Sequence, residues 1–463
     1  MAWTNQRNKD LVERARRVIP GGMYGHQSTA ILPDVYPQFF TRAEGTRLWD
    51  ADNNEYIDYM CAYGPNLLGY RHPAVEDAVS AQQRLGDTMT GPSEIMVDLA
   101  EKFVAMVSHA DWVIFCKNGT DATTMAMMTA RSLTKKRKIL VATKAYHGAA
   151  PWCNPFMNGI VPEERAHILQ YEYNNPASLE DAFRTAGDDV AGVFGSAFRH
   201  DVFEDQDLPR RDYAETARRL CDKTGALLIV DDVRAGFRVA RDCSWSKVGV
   251  QPDLSAWGKT IANGYALSAL AGSEKARAGA QGIFVTGSYW FQAIPMAAAI
   301  ATLTEIQRSD YLERMEKMGA LLREGLADQA AGYGFSLRQT GPAQMPMILF
   351  DDDPDLRLGY CWVAEALTRG VYIHPWHNNF ICAALTEDDV KLTLDATGEA
   401  FAALKKRRPT LGEVQQLKAR FAHLHRETVA QDSVLPGQAG GLPYGARGTS
   451  ISTSAFGSIS TSK

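Results

Sequence analysis

Between residues 112 and 308, short apolar runs alternate with helical patterns, and this alternation restricts the fold more than any other feature of the chain. The runs at 112–115, 138–142, 190–194, 226–230 and 269–271 are short and apolar and read as strands. Helical spacing of apolar residues covers 121–133, 177–184, 210–223 and 293–308. A strand followed by a returning helix implies parallel neighbours. The expected architecture is therefore α/β, a mainly parallel sheet with helices on both faces. In such sheets ligands bind beyond the carboxyl ends of the strands, so the residues just after each run are where chemistry is expected.

Outside this region the pattern differs. Residues 9–19 read as an amphipathic helix stopped by Pro20-Gly21-Gly22, and 46–59 as a hairpin turning at Asp52-Asn53-Asn54. Ser93 is placed to cap a helix over 95–106. From 311 a long helix to about 329 leads to strands at 335–338, 345–350 and 371–373, then helices at 387–405 and 411–430. That is the pattern of a smaller α+β domain. The end of the chain is rich in Gly, Ser and Thr and too poor in apolar residues to pack. The expected division is an N-terminal segment (1–60) joining the small domain, a large cofactor-binding domain (61–310), the C-terminal small domain (311–430) and a disordered tail (431–463).

Composition excludes several classes of function. The net charge of −5, from 49 basic and 54 acidic residues, gives no field for nucleic acid or an anionic membrane. No apolar run reaches membrane-spanning length, and the polar N-terminus is not signal-like. The seven cysteines are scattered and contain no Cys-x-x-Cys, which fits reduced thiols in the cytoplasm. His374-Pro375-Trp376-His377 and His423-Leu424-His425 lack the Cys, Asp or Glu partners of a closed metal site, so no metal is expected.

The strand ends carry the chemistry. Asp231 ends the run at 226–230, and Lys259 follows another short apolar segment 28 residues later. A lysine imine together with an acid facing a ring nitrogen is how a protein holds pyridoxal phosphate, although many α/β strands end in Asp by themselves. Asn118-Gly119-Thr120 lies between a strand and a helix, where free N–H groups and the dipole suit a phosphate; an ordinary helix cap reads the same. Tyr146-His147-Gly148 follows the next strand, and an aromatic there stacks on a flat ring or fills a core. Phosphate turn, aromatic, acid and lysine come in that order, each after a strand.

These segments together resemble the class III aminotransferases of the fold-type I pyridoxal phosphate superfamily, on the branch of the glutamate-1-semialdehyde aminomutases, over roughly residues 10–405. Further matches are Leu68-Gly-Tyr-Arg-His-Pro73, Leu228 to Arg238 and Pro252-Asp-Leu with Gly258-Lys259. The resemblance implies that Lys259 forms a Schiff base with the cofactor and shuttles the proton, and that Asp231 holds the ring nitrogen protonated. It implies that Val233 and Tyr146 cover the two ring faces, and that His147 belongs to the same cofactor-binding motif. Gly119 and Thr120 would bind the phosphate, with Asn118 replacing the family serine. A homodimer with shared active sites is also implied.

The chain departs from the family pattern at three places. Ser196-Ala197 replaces a Glu-Pro pair, and Trp290 stands where a phosphate-binding threonine from the other subunit is expected, leaving Ser288 or Thr286 as substitutes. Gly25-His26-Gln27-Ser28 replaces an arginine that grips the aminomutase substrate, which argues against glutamate-1-semialdehyde. Tyr24, Tyr63, Trp152, Trp290 and Trp376 are candidates for an aromatic substrate pocket, and Arg199 and Arg234 for carboxylate partners. The favoured function is an aminotransferase acting on a small-molecule amine donor and a carbonyl acceptor. An aminomutase or epimerase using the same lysine is the alternative, and a non-catalytic cofactor-binding homologue a further one.

Overall fold

The strand–helix alternation folds into one seven-stranded sheet. In the computed structural model, which describes residues 3–417, three N-terminal strands come first: β1 (Phe40–Glu44), β2 (Arg47–Asp50) and β3 (Glu55–Asp58). The large sheet then contains β4 (Trp112–Cys116), β5 (Lys138–Ala142), β6 (Ile168–Tyr171), β7 (Val190–Ser196), β8 (Leu227–Asp231), β9 (Leu254–Trp257) and β10 (Ser268–Gly272). Its spatial order is β4-β10-β9-β8-β7-β5-β6. The pairs from β6 through to β9 are parallel, while β10 runs antiparallel to both of its neighbours. Two reversals restore direction, so β4 points the same way as β9. The carboxyl ends of six strands therefore meet along one edge.

Burial explains why these strands read as unbroken apolar runs. Every residue of β7, β8 and β9 is buried, because helices cover both faces of the sheet. β6 is a partly exposed edge strand containing Gln170, and its weaker pattern gave no strand signal in the sequence.

β11 (Leu337–Thr340) and β12 (Met347–Phe350) form an antiparallel ribbon. β13 (Val371–Tyr372) pairs in parallel with β3, so a strand from late in the chain completes the N-terminal sheet β1-β2-β3-β13. Helices Tyr311–Tyr333 and Glu387–Arg407 pack in the same region, and residues 3–414 belong to one compact unit. Helix Ile95–Met106 has the expected span, but Glu94 occupies its N-cap and Ser93 makes no cap. Helices Pro73–Leu85, Glu274–Gln281 and Arg357–Leu367 were not foreseen. The expected helix over 411–430 runs beyond the described residues, and the expected tail over 431–463 lies outside them.

After β3 the backbone takes an unusual path. Cys61, Ala62 and Tyr63 hold φ values of 46°, 55° and 63°, and Gly64 follows at 107°. The left-handed region costs an L-residue about 1–2 kcal/mol, so three in a row is a local strain held by its surroundings. A side chain at Gly64 would come within 2.9 Å of the Phe380 ring and 3.3 Å of Lys259 Cδ, so this glycine is set by close approach as well. Ala62 is exposed, and its methyl group adds strain without packing. Ala62→Gly is expected to stabilise the protein by about 1 kcal/mol, read as a higher denaturation midpoint. A lower midpoint would show that this turn is not strained.

Candidate active site

Four loops reach the common edge of the sheet. The chain leaves β8 at Asp231, β9 through Gly258 to Lys259, β4 to the helix Gly119–Thr134, and β5 to Tyr146-His147-Gly148. They close around a cavity of about 370 Å³. Asn118, Gly119 and Thr120 line it at the helix start, Tyr146 and His147 from the β5 loop, and Asp231, Val233 and Lys259 from the other two.

Lys259 is held in a left-handed conformation, φ 39°, and its Nζ donates to the Tyr63 carbonyl at 2.9 Å. Burial pushes the amine down from the ordinary lysine range to about 7; the nearby Arg234 and Arg238 guanidinium groups push the same way, and Asp231 opposes them. Above that pH the amine is largely neutral and therefore nucleophilic.

Asp231 is 8% exposed. Its Oδ2 accepts from His147 Nδ1 at 2.8 Å, and its Oδ1 accepts from the Val233 N–H at 3.1 Å. That bond fixes the imidazole with its Nε2 buried and without a partner among the described residues. Thr123 Oγ1 donates to the His147 carbonyl at 2.6 Å and ties this loop to the helix.

At the helix start Asn118 Oδ1 accepts from the Asp121 N–H at 2.9 Å, so its side chain serves as the N-cap. The first-turn N–H groups of Gly119 and Thr120 have no intrahelical acceptor, and the positive end of the dipole lies with them. A side chain at Gly119 would come within 2.6 Å of Val233 Cγ1, so only glycine lets the β8 loop cross here. Thr120 Oγ1 accepts from the Ala149 N–H at 3.1 Å, leaving its own proton free to donate.

The residues present fit pyridoxal phosphate: first-turn N–H groups for a phosphate, a buried carboxylate for a ring nitrogen, and a neutral amine for an aldehyde. The aromatic candidates are placed differently from one another. The Tyr63 carbonyl meets Lys259, and its ring packs edge-on against His26 and His377, at 4.7 and 5.4 Å. Trp152 belongs to the core, lies parallel to His147 at 6.4 Å and donates to Thr124. Trp376 is buried, stacked on Phe203 at 4.5 Å. Tyr24 is 74% exposed, Ser288 is exposed, and Trp290 packs partly buried against the core; none of these lines the cavity. His374 and His377 are buried in the loop after β13.

Lys117, Thr123, His200 and Ser268 also line the cavity and were not singled out in the sequence. His200 lies four residues past the end of β7, where the strand-end rule points without saying which side chain turns inward.

Comparison with known proteins agrees with this geometry. The family model "Aminotransferase class-III" matches residues 31–156 and 205–392. The aminopentol aminotransferase of Sphingopyxis macrogoltabida is 62% identical over 398 residues, covering 86% of this chain and 94% of its own. A glutamate-1-semialdehyde 2,1-aminomutase of Polaromonas naphthalenivorans is 32% identical over 87% of this chain and 98% of its own. The structure of the pyridoxal phosphate internal aldimine form of the FumI protein of Sphingopyxis sp. MTA144 superposes with a TM-score of 0.88 at 60% identity, covering 88% of this chain and 99% of that one. The chain belongs to the class III aminotransferase family, and it is a pyridoxal-phosphate-dependent aminotransferase of fold type I.

Proposed function

We propose that this aminotransferase takes its amino group from a bulky amine of the aminopentol kind and delivers it to an aldehyde or ketone acceptor. The donor's C–NH2 becomes C=O, and the acceptor's C=O becomes C–NH2. The observation that carries this reading is that the Lys259 amine, lowered by burial to about 7, lines one cavity with the Asp231 carboxylate and the helix start. The 62% identical aminopentol aminotransferase supports the donor class. His26 supports it too: it occupies the segment where an arginine was expected, and an imidazole cannot make the bidentate carboxylate grip of a guanidinium.

When bound, pyridoxal phosphate supplies an aldehyde and an electron-withdrawing ring. In this reading Gly119 and Thr120 hold its phosphate through first-turn N–H groups and the Thr120 hydroxyl. Asp231, oriented by His147, keeps a proton on the ring nitrogen, and Val233 and Tyr146 confine the ring. The Lys259 amine would hold the aldehyde and would hold or move the proton at the substrate carbon. The reading includes a homodimer with shared sites, in which Ser288 serves the phosphate across the interface. It keeps the functional division near residues 60 and 310 and a cytoplasmic location, the latter supported by seven free cysteines. Among the described residues no helix is long and apolar enough to cross a membrane.

An aminomutase or epimerase would turn over without added acceptor. A visible spectrum under a panel of amines tests the point: one donor should bleach the cofactor band and a carbonyl acceptor restore it, while a band that no donor bleaches would refute the reading. Lys259→Ala is expected to lack the lysine-bound band and to lose roughly 10²–10⁴-fold or more in turnover. Asp231→Asn keeps the shape but loses the charge, and kcat should fall roughly 10²–10³-fold; an unchanged kcat would remove Asp231 from the mechanism. The neutral amine is the reactive form and exists above its pKa. The rate of cofactor incorporation into the apoprotein should therefore rise with pH through a midpoint near 7; a midpoint near the ordinary lysine value would contradict the burial argument.

A further inference from the structure

We propose that Cys61 and Cys382 are a redox modification site, a thiol pair that hydrogen peroxide closes to a disulfide and that slows the enzyme when closed. Cys61 stands in the left-handed turn after β3, and Cys382 in the segment after β13. Backbone bonds join the two segments on either side of the pair. The Phe380 N–H donates to the Tyr59 carbonyl at 2.7 Å, and the Ala383 N–H to the Leu67 carbonyl at 2.8 Å. Cys61 Sγ lies 3.6 Å from the Phe380 carbonyl oxygen, and its thiol hydrogen-bonds to the Cys382 sulfur. Both residues are buried free thiols.

The surroundings make one sulfur a nucleophile and the other its partner. The Cys61 S–H and the Ala384 N–H donate to the Cys382 sulfur, and the Arg238 guanidinium adds positive charge. Together these hold the Cys382 thiol below its ordinary range against burial and Asp58, while the same thiol–thiol bond and burial push Cys61 up. Arg238 is fully buried, and its Nη groups donate to the neutral carbonyls of Ile381 and Gly64. Its Nε has no partner among the described residues. Among those residues the groups whose charge acts on it are Cys61, Cys382 and Tyr311, none of them a carboxylate. A Cys382 thiolate is the anion that this guanidinium lacks.

In the reaction the Cys382 thiolate attacks one peroxide oxygen. An S–O bond forms, the O–O bond breaks, and hydroxide leaves and takes up a solvent proton. The Cys61 thiol then attacks that sulfur; the S–S bond forms, the S–O bond breaks, and the departing hydroxide carries off the Cys61 proton as water. The two sulfurs together lose two electrons, and the peroxide is reduced to two waters. Replacing the thiol hydrogen bond by a covalent bond draws Cys61 toward the late segment. Tyr63, two residues on, moves with it, and its carbonyl is the contact of Lys259.

The test treats the holoenzyme with hydrogen peroxide and maps its disulfides by mass spectrometry, with and without reduction. A peptide pair joining Cys61 to Cys382 is expected, while the buried Cys116, Cys221 and Cys243 stay thiols. Turnover with an amine donor should fall about tenfold or more, and dithiothreitol should restore it. Cys61→Ser and Cys382→Ser should each keep most of the untreated activity and resist peroxide. The mapping requires neither a folded variant nor a known donor, so its failure is distinct from failure of the proposed substrate. Oxidation of other cysteines, such as the partly exposed Cys153, while Cys61 and Cys382 remain thiols would overturn the proposal. So would a bond between Cys61 and Cys382 that leaves turnover unchanged, or full inactivation of Cys382→Ser by peroxide.

Discussion

Burial of one amine sets the terms for the rest of this structure. In the proposed mechanism Lys259 works only if its nitrogen is neutral in the working pH range, and neutrality requires taking it out of water and placing positive charge beside it. The parallel sheet does the first, since Lys259 follows a fully buried strand at an edge where six strands end together. Arg234 and Arg238 do the second. Asp231 opposes them from the neighbouring strand, and its carboxylate is engaged by His147. The carboxylate and the amine thus line one cavity.

The walls behind the lysine come from distant parts of the chain. Arg238 is fully buried, and its two Nη groups donate at 2.6 Å to the carbonyls of Ile381 and Gly64. It joins the strained turn after β3 to the segment that follows β13. The same two regions share a sheet through the pairing of β3 with β13. Lys259 therefore rests on a surface made by the N-terminal and late segments together, and its bond to the Tyr63 carbonyl is the point of contact. A left-handed run of three non-glycine residues persists there because Asp58 accepts the Met60 and Cys61 N–H groups at 2.7 and 3.0 Å and fixes the turn.

Much of this was legible in the amino-acid order. Largely buried strands leave apolar runs, so β4, β5, β7, β8 and β10 were found to within a residue or two, and the rule about carboxyl ends then pointed to Asn118, Tyr146, Asp231 and Lys259. β6 escaped because an exposed edge strand needs no such run. The aromatic candidates show a different limit. Trp152 and Trp376 carry the composition of a substrate pocket, yet indole rings are satisfied equally well by packing, and both are buried among other rings. His200 and His377 gave no signal for the site, since their bearing on it arises from proximity across loops far apart in sequence.

The central claim is that Lys259, and no other lysine, is the amine that holds the cofactor. Lys117 is the natural rival, because it lines the same cavity and burial lowers its ammonium as well, while its Nζ donates to the Ala266 carbonyl at 3.1 Å. Borohydride reduction of the holoenzyme followed by peptide mapping distinguishes them. The account requires the reduced cofactor on the peptide containing Lys259 and on no other. Recovery of the label on Lys117, or its absence from Lys259, would contradict it.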